Sequence, residues 1–231
     1  MIKAVCFDLY NTLAHYEPPR EELHTNACRE LGIEVELKVI AKSLPAADMF
    51  WREENSRSPI GKRPDKEKLA VYAEYEVKLL KEAGVEVSYE TALQIMARIQ
   101  QIGFRFEIYG DSLPALELVK NHGLITGLIS NIGEDIEQTC QDLGLQPYLD
   151  FKVTSFEVGY DKPRPEIFLA ALEKAQVKPE EALYVGDQYD LDVVGAHGVG
   201  MKAVLLDRSD YFTETTDCPR IHSLTEIVEY I

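Results

Sequence analysis

The stretch VCFDLYNTL, residues 5–13, decides how the rest of the chain is interpreted. A short apolar run ends at Asp8, and Thr12 follows one turn later. Short apolar runs flanked by helical patterns are typical of strands buried in a parallel sheet. Ligands of such sheets bind beyond the carboxyl ends of the strands. The stretch therefore predicts a buried strand that delivers the Asp8 carboxylate to a functional site.

The overall charge and composition exclude several classes of partner. The 231 residues carry a formal charge of −16, which repels nucleic acid and anionic membranes, so we expect neither as a partner. No apolar stretch approaches the roughly 20 residues of a membrane span, and the N-terminal run is too short for a signal peptide. The four cysteines are widely spaced, as expected for reduced thiols in the cytoplasm. A small anionic substrate is compatible with this charge if the chain provides a local positive site.

Five β-rich apolar runs alternate, from the second run onward, with segments of helical periodicity. This alternation predicts an α/β fold with a buried parallel sheet. The predicted strands are 4–7, 125–129, 151–154, 182–185 and 203–206. The predicted helices between them are 113–121, 136–143 and 166–175.

The residues between the first two strands have a different texture. The block is too long for a crossover helix, shows helical periodicity and contains no predicted strand, so it predicts an α-helical insertion. Its predicted helices are 21–31, 39–54, 66–82 and 90–102. We therefore predict a core domain of residues 1–14 and 109–231, with a helical domain of residues 15–108 lying over it as a lid.

Carboxylates follow two of the predicted strands. Asp8 ends the first strand and Asp187 ends the fourth. Buried carboxylates are costly unless they are paired or bind a metal. Ligand sets made only of oxygen favour Mg²⁺, which accepts one or two carboxylates together with substrate oxygens. Asp192, five residues after Asp187, is a candidate outer ligand.

Groups that could hold an anion lie close to these carboxylates. Ser130 and Asn131 end the second strand, and hydroxyl and backbone N–H groups at such a position suit phosphoryl oxygens. Thr12 can act in the same way. Lys162 follows the third strand and would neutralise both the Asp8 carboxylate and a substrate anion.

The order of these motifs resembles that of the haloacid dehalogenase-like hydrolases. The matching segments are DLYNT (8–12), SN (130–131), the lysine of DKPRP (161–165) and GDQYDLD (186–192). The resemblance implies a Rossmann-like, doubly wound parallel core with the helical insertion as its cap. It also implies hydrolysis through an aspartyl intermediate.

The resemblance implies specific roles for the residues at these positions. Asp8 would be the nucleophile, and Ser130 and Lys162 would bind the transferring group. Asp187 would bind Mg²⁺ together with Asp8 and the backbone carbonyl of Tyr10.

Tyr10 departs from the pattern of the family's phosphatases. Those enzymes carry an aspartate here as the acid/base, and a positioned acid/base contributes roughly 10²–10⁴ to the rate. A tyrosine is what the family's L-2-haloacid dehalogenases carry, because halide leaves without a proton. Those dehalogenases also use an arginine of the first long cap helix, and Arg52, after Trp51, stands in a comparable context.

Asp187 favours the phosphatase alternative. Dehalogenases replace this metal-binding aspartate by a small neutral residue, and they carry asparagine where this chain has Tyr189. We therefore expect a Mg²⁺-dependent phosphatase of small phosphorylated metabolites. A haloacid dehalogenase and a non-catalytic protein that binds a phosphorylated ligand are the alternatives.

Three further expectations concern residues around the motifs. Asn11 stands where the family has glycine, and we expect most of the energetic cost of this difference to be local, in the turn. His15 and Glu17 are candidate replacement acids. The basic segment that contains Arg57, Lys62 and Arg63 could contact a second anionic group of the substrate.

Overall fold

The structure is a computed structural model that describes residues 1–58, 60–132 and 136–231. The strands are Ala4–Phe7 (β1), Ala14–Glu17 (β2), Arg105–Ile108 (β3), Ile125–Ser130 (β4), Phe151–Thr154 (β5), Ala182–Gly186 (β6), Lys202–Leu206 (β7) and Arg220–Ile221 (β8). The α-helices are Arg20–Glu30 (α1), Leu37–Arg57 (α2), Asp65–Glu82 (α3), Tyr89–Ile102 (α4), Ser112–Asn121 (α5), Glu137–Asp142 (α6), Ser155–Val158 (α7), Pro165–Ala175 (α8) and Val194–Gly198 (α9). Shorter 3₁₀ segments are Ile60–Lys62, Gln146–Tyr148, Pro179–Glu181 and Leu224–Tyr230, and Tyr189–Val193 forms a π-helical turn.

Six strands form one parallel sheet in the order β5-β4-β1-β6-β7-β8. The first strand is therefore internal, between β4 and β6, and Ala4 is in register with both Ile125 and Ala182. Parallel strands must be joined by crossovers, which explains the helices between them. The predicted α/β class is confirmed, and all five predicted strands are present.

Alternate residues of each strand pack on opposite faces of the sheet. On one face Leu183 and Val185 of β6 join an apolar cluster that includes Leu116 of α5. On the other face Tyr184 joins a second cluster with Phe168 of α8. Because both faces are covered, the strands read in the sequence as nearly continuous apolar runs.

The chain divides into two compact units. The core unit comprises Met1–His15 and Phe106–Ile231, and the helical unit comprises Tyr16–Arg105. The helical unit contains α1 to α4 and has its own apolar cluster, which includes Ala27, Leu79 and Ile95. Along the described residues, none of the helices is both long and apolar enough to cross a bilayer.

The expectation that residues 15–108 contain no strand is wrong at both ends of that block. The segments β2 and β3 form a second, two-stranded sheet. Each strand has only four residues, AHYE and RFEI, and most of these residues are only half-buried. Such short strands with charged residues lack the apolar run that identifies a buried strand.

A partly buried ion pair ties together distant segments of the core unit. Asp111 accepts hydrogen bonds from Arg208 (2.8 and 2.9 Å), from the Ser223 hydroxyl and from the Leu224 N–H (both 2.9 Å). Arg208 also donates to the carbonyl of Thr12 (3.0 Å), in the loop after Asp8. Burial alone would raise the pKa of Asp111, but the bonds from Arg208, Leu224 and Ser223 outweigh it and lower that pKa.

We expect Asp111→Asn to lower the free energy of unfolding by about 1.5–3 kcal/mol at pH 7, because it weakens hydrogen bonds to a charged group. The folded-state pKa lies below the unfolded value, so this stabilisation is complete above about pH 4 and is lost as the pH falls through the folded-state pKa. Urea denaturation at neutral and acidic pH measures both effects. Asp65→Asn is the control, since that side chain is 96% exposed. A difference from wild type that does not shrink in acid would contradict the assignment.

Candidate active site

The carboxyl ends of three neighbouring strands, β4, β1 and β6, carry Ser130, Asp8 and Asp187. The N–H of Asp8 donates to the carbonyl of Val185 (2.9 Å), which fixes the end of β1 against β6. Asp8, Asp187 and Asp192 each place a carboxylate oxygen within 4.8 Å of the others. The fold thus brings together three acids that the sequence motifs singled out.

Lys162 is buried among these acids. Its ammonium donates to Asp8 Oδ1 (2.5 Å), Asp192 Oδ1 (2.7 Å) and the Tyr184 hydroxyl (2.8 Å). Burial alone would lower the pKa of Lys162, but the charges of Asp192 and Asp8 outweigh it and hold that pKa above its ordinary value. Lys162 is therefore a permanent cation beside the candidate nucleophile.

Burial also affects the candidate nucleophile itself. It raises the pKa of Asp8 to about 6, although the Lys162 charge opposes this effect. The Asp8 side chain is only 7% exposed, so its carboxylate is available to a ligand from few directions. A protected carboxylate beside a fixed cation is suited to attack an electrophile in a site with little water.

The side chain of Asn131 contacts the backbone of Lys162. The Asn131 side chain accepts from the Lys162 N–H (2.7 Å) and donates to the Lys162 carbonyl (3.2 Å). Both of its polar ends are engaged in holding the loop that carries the lysine. The sequence suggested Asn131 as a phosphate ligand, whereas its contacts here are with the lysine's main chain.

Asp192 is also fully engaged. Its Oδ1 accepts from Lys162 and from the Tyr184 hydroxyl (3.1 Å), and its Oδ2 accepts from the Gln188 N–H (2.9 Å). Gly186 makes room for this carboxylate, because a Cβ at that position would lie 2.2 Å from Asp192 Oδ2. These bonds tie Asp192 to its neighbours, and its assignment as an outer ligand stays a prediction.

Asp187 is the acid whose environment fits a metal ion. Its Oδ1 is buried and has no hydrogen-bond partner among the described residues. Burial, with the charges of Asp8 and Asp192, raises the pKa of Asp187 well above its ordinary value. A divalent cation between Asp8 and Asp187 would supply both the missing partner and the missing positive charge. The donor set is oxygen only, which suits Mg²⁺.

Two hydroxyls in the predicted anion-binding positions have unsatisfied hydrogen-bonding capacity. Ser130 Oγ and Thr12 Oγ1 are buried and have no partner among the described residues. Buried hydroxyls are normally hydrogen-bonded, so an unpartnered one calls for an explanation such as a ligand or an ordered water. Their location, at the end of β4 and in the loop after β1, is consistent with donation to oxygens of a bound group.

The turn after Asp8 explains one departure from the family pattern. Asn11 has a φ of 59°, in the left-handed region that favours glycine, and asparagine is one of the residues that tolerates it best. The Asn11 N–H donates to the carbonyl of Ala14 (2.7 Å) and closes the turn. The Tyr10 ring lies against Phe106, with ring centroids 4.7 Å apart. The unusual residues at both positions are therefore accommodated locally.

Arg52 belongs to the helical unit. It is half-buried on α2, next to Trp51, whose ring packs against those of Tyr72 (5.1 Å) and Tyr75 (6.1 Å). The convergence of acids and lysine described above is a property of the core unit alone.

The described guanidinium groups of the basic segment are paired within the helical unit. Arg63 donates to Glu54 Oε2 (3.0 Å) and to the carbonyls of Glu54 and Ser58. Arg57 also donates to Glu54 (2.5 Å). The side chain of Lys62 lies outside the described part of the chain. These pairs give Arg63 a structural role in closing the end of α2.

Sequence reasoning missed two residues of the site. Tyr184 lies within the predicted strand 182–185 and is given no role there, yet its hydroxyl reaches both Lys162 and Asp192. Gly186 matched a motif, but its role in admitting the Asp192 carboxylate depends on a contact that spacing does not reveal. A tyrosine in the middle of a fully buried strand is the one available signal, because a buried phenol needs a partner.

Carboxylates and a buried lysine at the carboxyl ends of a parallel sheet are typical of hydrolases that attack their substrate with a carboxylate. A family model described as haloacid dehalogenase-like hydrolase matches residues 2–200. The chain belongs to this family, and it is a hydrolase.

Particular relatives include enzymes of two chemistries. The glyceraldehyde 3-phosphate phosphatase of Methanopyrus kandleri is 30% identical over 217 residues, which cover 91% of this chain and 86% of that protein. A HAD phosphatase from Thermococcus onnurineus has a TM-score of 0.58 at 27% identity, covering 99% of this chain and 97% of that one. A 2-haloacid dehalogenase from Pseudomonas syringae has a TM-score of 0.59 at 25% identity, with the same coverage.

We expect Mg²⁺ to raise the melting temperature of the wild-type protein, because an ion that binds only the folded state stabilises it. Asp187→Asn should abolish this shift, since it removes the acid with the unpartnered oxygen. Without Mg²⁺ the variant should be at least as stable as wild type, because one of three crowded carboxylates is gone. Thermal melts with Mg²⁺ and with EDTA measure both quantities. A full Mg²⁺ shift in Asp187→Asn would place the metal elsewhere.

Proposed function

We propose that this chain is a Mg²⁺-dependent phosphatase of small phosphorylated metabolites that acts through an aspartyl-phosphate on Asp8. The observation that carries the proposal is the unpartnered, buried oxygen of Asp187 in a cluster with Asp8. A dehalogenase that works without metal has no need of a second acid in that position. The relationship to a glyceraldehyde 3-phosphate phosphatase supports the same class of substrate.

The charge of the site supports a metal requirement. With all groups ionised, Asp8, Asp187 and Asp192 oppose the single charge of Lys162, so the site would repel a phosphate dianion. Asp8 and Asp187, with the carbonyl of Tyr10, would hold Mg²⁺. When bound, the ion would neutralise negative charge on the acids and on the phosphoryl oxygens.

The side chains would then divide the reaction between them. An Asp8 carboxylate oxygen attacks phosphorus, a P–O bond forms, and the bond to the leaving oxygen breaks. Lys162, Ser130 and Thr12 donate to the phosphoryl oxygens, while Asn131 acts by fixing the loop of Lys162. Water then attacks the phosphorus of the aspartyl-phosphate, which releases inorganic phosphate and restores the Asp8 carboxylate.

With Tyr10 two residues after Asp8, the site has no aspartate at that position to protonate the leaving group. Phenol is a weak acid at neutral pH, with an ordinary pKa of about 10. We therefore expect slow turnover or a preference for good leaving groups. His15 is a candidate replacement acid in the core unit, where its ring lies 4.7 Å from that of Tyr109. Glu17 is a second candidate and belongs to the helical unit.

Two observations favour haloacid dehalogenation as a second candidate function. Tyr10 matches the dehalogenase pattern, and a 2-haloacid dehalogenase is among the structural neighbours. Arg52 would then receive the substrate carboxylate or halide, in place of a phosphoryl group. A purely binding role is disfavoured because a binder gains nothing from the Asp8 nucleophile.

We further propose a cytoplasmic location for the enzyme. None of the four cysteines is in a disulfide, and burial raises the pKa of the Cys6 thiol to about 12. Inert, unpaired thiols are typical of a reducing compartment.

Assays with two substrates separate the leading functions. We expect p-nitrophenyl phosphate to be hydrolysed with Mg²⁺ and not with EDTA, and 2-chloropropionate to be untouched. Asp8→Asn should abolish phosphate release, because it removes the nucleophile. Chloride release that persists in EDTA, without phosphate release, would replace the phosphatase proposal by dehalogenation.

Tyr10→Asp tests the missing acid. We expect it to raise phosphatase turnover by roughly 10²-fold or more, the range for a positioned general acid. Tyr10→Phe is the matched control, because it keeps an aromatic ring against Phe106 while removing the hydroxyl, and it should leave turnover unchanged. Steady-state kinetics with an alkyl phosphate measure both variants. A loss of turnover in Tyr10→Phe would show that the phenol already serves as the acid.

A further inference from the structure

Tyr184 combines an apolar anchor with a polar tip. The side chain is fully buried in the middle of β6, and its ring packs edge-on against Phe168, with centroids 5.4 Å apart. Its hydroxyl accepts from the Lys162 ammonium (2.8 Å) and lies within donating distance of Asp192 Oδ1 (3.1 Å) and the carbonyl of Ile129 (3.2 Å). The hydroxyl is therefore held from one of the central strands of the sheet.

The partners of Lys162 account for all of its hydrogens. An ammonium has three N–H groups, and Lys162 has three acceptors: Asp8, Asp192 and Tyr184. Asp192 and Tyr184 also bond to each other, so these two acceptors form one rigid support. Only the third acceptor, Asp8, is a group that changes during the proposed reaction.

We infer that Tyr184 is a positioning residue whose hydroxyl, with Asp192, fixes the Lys162 ammonium so that a single N–H passes between Asp8 and the phosphoryl group. The inference rests on the proposed function for its catalytic consequence. Without the hydroxyl, one N–H of a buried ammonium lacks an acceptor, and the group can rotate away from the reacting oxygens. Tyr184 itself touches neither the metal nor the substrate in this account.

The first test is kinetic. We expect Tyr184→Phe to lower kcat for p-nitrophenyl phosphate about tenfold, the loss typical of one hydrogen bond to a charged group, with a much smaller change in KM. The ring and its packing on Phe168 are retained. Tyr148→Phe is the matched control, because the Tyr148 hydroxyl donates to the distant, exposed Glu117 (3.1 Å), and this variant should keep wild-type kinetics.

The second test needs no substrate. The ¹⁵N–¹H resonance of the Lys162 side chain, assigned by its absence in Lys162→Met, reports how firmly the ammonium is bonded. We expect its hydrogen exchange to be slow in wild type and in Tyr148→Phe, and about tenfold faster in Tyr184→Phe, because one of its bonds is gone. A role limited to fold stability would not change this resonance selectively.

The two readouts together decide the inference. Faster exchange with reduced kcat in Tyr184→Phe supports it. Unchanged exchange overturns it, whatever happens to kcat, because any kinetic loss would then not act through Lys162. Faster exchange in a protein whose wild type releases no phosphate supports the anchoring of Lys162 and rejects the proposed function instead.

Discussion

The candidate site in the core unit depends on one buried ammonium, that of Lys162, which offsets the charges of two buried carboxylates. Lys162 lies between Asp8 and Asp192, and all three side chains are almost completely shielded from water. Burying charges is expensive, and breaking such a cluster by removing one partner leaves an uncompensated charge in a low-dielectric interior. The surrounding residues therefore hold the lysine in place: the Asn131 side chain bonds to its main chain, and the Tyr184 hydroxyl accepts a hydrogen bond from its ammonium.

Lys162 does not neutralise all of the acids in the site, so a net negative charge remains when they are ionised. Asp187 adds a further acid whose oxygen lacks a partner among the described residues. The exposed surface also carries net negative charge, since the chain as a whole is at −16. Under the proposed function, a bound cation would offset this negative charge for an anionic substrate. Within the helical unit, Arg57 and Arg63 are both paired with the single carboxylate of Glu54.

The sequence predicted the framework well, because that framework follows from simple patterns. Apolar runs located the strands, and the polar residues directly after them included Asp8 and Asp187. The choice of hydrogen-bond partners was less predictable, since it depends on segments far apart in the chain. Asn131 is predicted as a phosphate ligand from its place after a strand, but that place does not reveal its bonds to the loop of a lysine thirty-one positions later. Tyr184 looked like core because only its hydroxyl, and not its ring, belongs to the site.

The internal position of β1 affects the order in which parts of the chain can fold during synthesis. The strand β1 leaves the ribosome well before its two neighbours in the sheet, β4 and β6, are translated. The helical unit is complete by Arg105 and has an apolar cluster of its own, so it can collapse while the N-terminal strand still lacks its partners. Pairings between segments so distant in sequence are slow to form. The candidate site is thus among the last parts of the nascent chain to take shape, because Asp8 is translated long before the residues that surround it in the folded protein.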